Sequence, residues 1–183
     1  MLAKRWALST DNEYQTNEQI DVNRMLKDLP KNMQESLARN SNVSLHMDLE
    51  EKLPFVNASR DAIKQVLINL IRNGVEAMEE GGELTIKTRK SKLYDPKGKN
   101  GLENTGSNAV EISIVDNGDG IPESLRSRLF EPFVGTKNDQ HSGLGLSIVH
   151  SLVNSYHGWV TYMNNPNGGS TFKVTFPAES HCG

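Results

Sequence analysis

Four short segments of the chain carry residue types at spacings that can do chemistry. In Asn69-Leu-Ile-Arg-Asn73-Gly-Val-Glu-Ala77 two asparagines stand one helical turn apart, so on a helix they share a face and can reach one object together. Taken alone, that pair is better read as exposed or locally bonded amides. Asp116-Asn-Gly118-Asp-Gly120-Ile121-Pro ends an alternating run that puts Val110, Ile112, Ile114 and Asp116 on one apolar face. An acid at the end of such a face needs a donor. An adenine amino group is one, and the glycines let a flat ring approach the backbone; an ordinary Asn-Gly and Asp-Gly turn accounts for the segment about as well. Gly143-Leu144-Gly145-Leu146 opens a helix, where free N–H groups and the positive end of the helix dipole suit phosphates. A flexible turn is the plain alternative. In Gly168-Gly-Ser170-Thr-Phe172, Ser170 shares a strand face with Phe172, Val174 and Phe176, which points its hydroxyl toward the same interior as Asp116; a hairpin glycine pair is the plain alternative.

These residues need elements to hold them. Ser59 offers an N-cap to the clearest helix, whose apolar stripe is Ile63, Val66, Leu67, Leu70, Ile71 and Val75 and whose end is marked by Gly81-Gly82. Strands are expected from Glu83 to Thr88 and from Val110 to Val115. Ser91 to Asn108, rich in Lys, Gly, Asn and Ser, reads as a long mobile hairpin loop between them. Leu144 to Tyr156 is a second amphipathic helix. Trp159 to Met163 and Thr171 to Phe176 form a closing hairpin around the turn Asn164 to Gly169. Upstream, a short strand from Ile20 to Val22 precedes a helix from Asn23 to Arg39 that Pro30 breaks or kinks. Val43 to Leu49 alternates as a half-buried strand, and Pro122 to Ser142 has no regular period. Interleaved helices and a predominance of hairpins point to a mixed sheet with helices on one face.

Bulk properties exclude several function classes. With 183 residues and a formal net charge of -3, the chain has no basic field for nucleic acid and no polybasic stretch for a membrane surface. The apolar run near Val66 to Ile71 is too short to span a bilayer. Met1 to Leu8 lacks the apolar stretch of a signal peptide. A lone Cys182 rules out an intrachain disulfide and fits a reducing, cytoplasmic compartment.

In order and spacing the four segments resemble the N, G1, G2 and G3 boxes of the Bergerat-fold ATPases, the GHKL superfamily. Leu129-Phe130-Glu131-Pro132-Phe133 looks like the F box of histidine kinases. The resemblance runs from about Ile20 to Pro177. It implies an α+β fold: a two-layer α/β sandwich of the Bergerat type, with a mixed, mostly antiparallel sheet, helices on one face and an ATP lid. Residues 20–178 would form the ATP-binding catalytic domain, 1–19 a linker or remnant of a preceding dimerisation helix, and 179–183 a tail. Asn73 would hold the Mg²⁺ that bridges the triphosphate, with Asn69 supporting the same site. Asp116 would bind the adenine amino group, helped by Ser170, in a slot lined by Gly118, Gly120 and Ile121. Gly143 and Gly145 would hinge the lid and present N–H groups to the phosphates, with Leu144 and Leu146 beside them in the nucleotide site. Lys137 sits where related kinases with short lids place a phosphate-contacting lysine. Arg72 is a second candidate cation, with a solvated helix-face arginine as its alternative.

The resemblance also separates kinase from hydrolase. Hydrolytic members of the superfamily carry a glutamate one turn before the Mg²⁺ asparagine, where it activates water as a general base. Here that position is Asn69, and an amide cannot take a proton at neutral pH. Transfer to an already nucleophilic neutral imidazole depends mainly on positioning and electrostatics. The expected function is therefore that of a sensor histidine kinase catalytic domain of the nitrogen-regulation-like subgroup, passing the γ-phosphoryl of Mg-ATP to a histidine. A stand-alone GHKL-type ATPase acting as a nucleotide-driven conformational switch is the alternative. None of His46, His141, His150, His157 and His181 has the context of a phosphoacceptor box, so the acceptor is expected on a dimerisation domain outside these residues. The resemblance further implies a homodimeric parent, a monomeric state for this piece alone, and a response regulator downstream. Two positions depart from the family pattern: Gly74 stands where alanine is commoner, and Asp119 where proline often is.

Overall fold

The longest helix among the described residues starts where Ser59 stops being extended. Ser59, at φ -77° and ψ 134°, turns its side-chain oxygen to accept from Ala62 N–H, the interaction that satisfies one of a helix's orphan first-turn donors. The computed structural model describes residues 17–29, 42–95, 103–134 and 143–179. In chain order these form β1 (Glu18–Ile20), α1 (Val22–Lys27), β2 (Val43–Leu49), β3 (Phe55–Ala58), α2 (Arg60–Glu76), β4 (Gly82–Asp95), β5 (Glu103–Asp116), α3 (Glu123–Arg126), α4 (Gly145–Ser155), β6 (Trp159–Asn164) and β7 (Ser170–Glu179).

The strands make one sheet in the order β1-β3-β7-β5-β4-β2, with β6 also pairing β7. Among the described strands β2–β4 is the parallel pair; β1–β3, β3–β7, β4–β5, β5–β7 and β6–β7 are antiparallel. Alternation on β5 and β7 buries Val110, Ile112, Ile114 and Asp116 together with Ser170, Phe172, Val174 and Phe176. Against this face lies α2, burying Ile63, Val66, Leu67, Leu70 and Ile71, and beside it α4, burying Val149 and Val153. Each fully buried aliphatic side chain contributes about 1.5–3 kcal/mol, so the α2 stripe alone anchors the helix that carries both asparagines.

Several expectations need correction. The strands expected at 83–88 and 110–115 are much longer. Their pairing runs from Leu84↔Asp116 to Asp95↔Glu103, with a register irregularity between Lys92 and Tyr94. Much of the segment read as a mobile loop is therefore a two-stranded ribbon. It outruns its neighbours: β2 accompanies β4 only as far as Thr88, and β7 accompanies β5 only from Ala109. The stretch, rich in Lys, Gly, Asn and Ser, carries no apolar alternation to read. The short β3, with Val56 and Ala58 buried, gives too brief a period to detect. Glu123–Arg126 is a single helical turn inside the segment read as irregular. β1 begins at Glu18 rather than Ile20. The helix expected from Asn23 to Arg39 is represented by α1, which Asp21 caps by accepting from Arg24 N–H; Pro30 to Arg39 lies outside the described residues.

Behind α1 a buried polar knot fixes the first helix to the sheet. Thr88, fully buried, donates its hydroxyl to Asn23 Oδ1 at 2.8 Å and accepts from Glu50 N–H at 3.2 Å. Asn23 Nδ2 donates to Glu50 O at 2.7 Å.

Candidate functional site

Asp116 ends β5 on the buried face, 2% exposed, one residue past the last β5–β7 pair, Val115↔Thr171. Its carboxylate is held by three donors: Ser170 Oγ to Oδ2 at 2.6 Å, Ser170 N–H to Oδ1 at 3.0 Å, and Gly118 N–H to Oδ1 at 3.0 Å. The donor that the sequence demanded for this acid is thus internal in the first instance. A carboxylate has about four lone-pair positions, so Oδ2 keeps room to accept from a ligand amino group.

The glycines serve close approach more than an open slot. A Cβ on Gly118 would sit 2.2 Å from Ala77 O, at the end of α2, and one on Gly169 would sit 2.0 Å from Asp116 O. Gly120, Gly168 and Gly169 have φ of 74°, 97° and 81°, a region that other L-residues rarely enter. The β6–β7 turn therefore lies directly against the Asp116–Ile121 segment. Two residues that sequence reading treated as turn formers do more: Asn164 and Asn165 hydrogen-bond the backbone of Ile121 and Asp116. No periodicity marks them, because the groups they bind lie far away in sequence.

Asn69 and Asn73 share the face of α2 that meets the start of α4. A Cβ on Gly145 would lie 3.9 Å from Asn69 Oδ1. Asn69 Oδ1 accepts from Gln65 Nε2 at 3.3 Å, while its Nδ2 is buried with no hydrogen-bond partner among the described residues. Leu144, the residue before α4, provides no side-chain cap, so the first-turn N–H groups of α4 remain unpaired within the helix. An orphaned amide donor thus stands beside an uncapped, positively polarised helix end, an arrangement suited to an anion. Leu144 and Leu146 flank that turn half-buried. Arg72 is drawn away: its Nε donates to Glu76 Oε1 at 2.7 Å in an exposed pair, which favours the surface reading.

The aromatic segment anchors the other side. Phe130 stacks on His150 of α4 at 5.4 Å between ring centroids and meets Tyr162 of β6 edge-on at 6.4 Å. Phe133 is 78% exposed with φ 64°, and its N–H donates to Gly143 O at 3.1 Å. The two ends of the 134–142 segment are thereby joined. Lys137 and His141 lie outside the described residues. A separate groove of about 1290 Å³, lined by Met47, Leu49, Phe55 and Lys90 among others, includes none of these site residues.

A layered sheet with helices on one face, an acid–serine pair at its inner end and an uncapped helix beside two asparagines define a Bergerat-type nucleotide-binding domain. Residues 58–180 match the family described as histidine kinase-, DNA gyrase B-, and HSP90-like ATPase, and the chain belongs to that family. It is 39% identical over 145 residues to the C4-dicarboxylate transport sensor protein DctS of Rhodobacter capsulatus, covering 77% of this chain and 20% of that protein. It is 32% identical over 180 residues to the sensory histidine kinase/phosphatase NtrB of Azospirillum brasilense, covering 96% of this chain and 43% of that protein. The catalytic domain of histidine kinase ThkA superposes with a TM-score of 0.69 at 27% identity, over 88% of this chain and 97% of that one. ThkA in complex with the response regulator protein TrrA gives 0.67 at 27% identity, over 89% and 42%. The fold is that of histidine kinase catalytic domains. The chain spans between a fifth and a little under half of the length of these two curated relatives.

Proposed function

We propose that this domain binds Mg-ATP and passes its γ-phosphoryl group to a histidine on a dimerisation domain outside these 183 residues, as the catalytic part of a two-component sensor histidine kinase. The observation that carries the reading is Asn69: an amide beside the uncapped start of α4, with a buried N–H that has no partner among the described residues. A donor there suits a phosphate oxygen, and no carboxylate stands in its place to activate water.

In this reading Asp116 accepts from the adenine amino group through Oδ2, held in place by Ser170, while Gly118, Gly120 and Ile121 line the base. Asn69 and the first-turn N–H groups after Gly143 and Gly145 take the phosphates, with Lys137 adding a charge. Asn73, half-buried and one turn from Asn69, offers an amide oxygen, the ligand type that Mg²⁺ prefers. When bound, the ion neutralises charge on the triphosphate. The acceptor imidazole nitrogen attacks the γ-phosphorus, the bond to the β-bridging oxygen breaks and ADP leaves; the domain positions the phosphates and withholds a base from water.

The exposed Phe133 and Ile148 offer apolar surface for the partner's helices, which supports a histidine-bearing dimerisation domain and a homodimeric parent. The complex of ThkA with TrrA supports a response regulator as the downstream acceptor. Among the described residues no helix is long and apolar enough to cross a membrane, and we place the domain on the cytoplasmic side.

The test incubates the chain with Mg-ATP labelled at the γ-phosphate, alone and with the helical hairpin of its parent protein. The expected result is negligible phosphate release alone and acid-labile label on the hairpin histidine. Steady phosphate release by the chain alone, with no label transferred, would establish the ATP-driven switch instead.

A further inference from the structure

Adjacent side chains at and just beyond the end of β6 hold the Asp116–Ile121 segment by its backbone. Asn164 Oδ1 accepts from Ile121 N–H at 3.0 Å, and Asn164 Nδ2 donates to Ile121 O at 3.0 Å. One amide thus satisfies both main-chain groups of one residue, as a strand partner would. Asn165 Nδ2 donates to Asp116 O at 3.0 Å, and Thr171 Oγ1 fixes that amide by donating to Asn165 Oδ1 at 2.7 Å. The segment between these two clamps contains Gly118 and Gly120, the latter at φ 74°.

We propose that Asn164 is a positioning residue for the base-binding slot. Through its two bonds it fixes the Ile121 main chain so that residues 118–121 present a preformed wall. The proposal rests on the ATP-binding reading above. Gly118 N–H stays on Asp116 Oδ1 and Asp119 N–H on Ala77 O, but Ile121, and through it Gly120, is held by Asn164. Glycines lose the most conformational freedom on ordering, so without that amide this end of the segment would have to be ordered at the moment of binding, at the expense of affinity. Asparagine suits the task because a primary amide carries a donor and an acceptor side by side. Aspartate keeps the acceptor but sets a second oxygen against Ile121 O.

The experiment measures Mg-ATP binding by calorimetry on Asn164→Ala, Asn164→Asp and Asp116→Asn in the 183-residue chain, with urea unfolding of each. The expected result is an ATP affinity per folded molecule about tenfold lower in both Asn164 variants, a change of about 1.4 kcal/mol. A merely structural role would shift the urea midpoint and leave the affinity of the folded molecules unchanged, and that outcome overturns the proposal. Should the alanine variant not fold, the isosteric aspartate carries the test. Asp116→Asn separates the two failures. Full ATP affinity in that variant sinks the nucleotide reading itself; lost affinity there with unchanged affinity in the Asn164 variants sinks the positioning role alone.

Discussion

Ser170 grips the Asp116 carboxylate twice, through its hydroxyl at 2.6 Å on Oδ2 and its main-chain N–H at 3.0 Å on Oδ1, across 54 residues of sequence. The pair joins the end of β5 to the start of β7 at the point where base recognition is proposed. It is nearly dry, with Asp116 2% and Ser170 3% exposed. Hydrogen bonds to a buried charged group are among the stronger ones.

Ser170→Ala removes the hydroxyl and leaves Oδ2 without its internal donor. A hydrogen bond to a charged group contributes about 1.5–3 kcal/mol, so urea unfolding should show a loss in that range. Mg-ATP, which supplies a fresh donor to Oδ2, should recover part of it; a variant as stable as the parent without nucleotide would contradict this.

Asn69→Leu should have opposite effects on stability and function. The Nδ2 group is buried and unpaired among the described residues, and removing an unsatisfied polar atom recovers part of a penalty of about 1–3 kcal/mol. The variant should therefore be at least as stable as the parent while losing Mg-ATP affinity. A clear drop in urea midpoint would show that the amide is satisfied in the free domain.

Gly74→Ala should change sign with its neighbour. A Cβ at Gly74 would lie 2.6 Å from Leu84 Cδ1, and overpacking of this kind costs about 1–3 kcal/mol. Alanine gains only about 0.8–1 kcal/mol over glycine within a helix. The single change should therefore be neutral or destabilising, yet stabilising in a Leu84→Val background, where that methyl is gone. Equal effects in both backgrounds, measured as a double-mutant cycle, would rule out the contact.

Shortening the β4–β5 ribbon should leave the domain intact. Lys92 and Asn108 face each other, so replacing residues 93–107 with Asn-Gly makes a two-residue hairpin. The melting temperature should stay within about 2 °C of the parent, no more than the shift expected from about 1 kcal/mol in a chain of this size. Nucleotide affinity should be unchanged. A larger fall would mean that the ribbon supports the fold.

What the sequence by itself determined was local and periodic. The Ser59 cap, the α2 stripe, the helix read from Leu144 to Tyr156 and found at Gly145–Ser155, and the shared face of Val110 to Asp116 all follow from spacing within about a dozen residues, and each is present. Motif order then pointed to the family. Only the tertiary structure decided the partners. That Asp116 finds Ser170, that Asn164 and Asn165 hold the backbone of the glycine turn, and that Gly118 and Gly169 are required by Ala77 O and Asp116 O depend on groups brought together across the sheet. The ribbon escaped notice for the converse reason: beyond Thr88 and before Ala109 its strands bond to each other, and the Lys, Gly, Asn and Ser of this stretch give no apolar alternation to record them. Hydrophobic spacing reports which face is buried. It does not report which polar group will meet which, and at this site those meetings fix the Asp116–Ile121 segment.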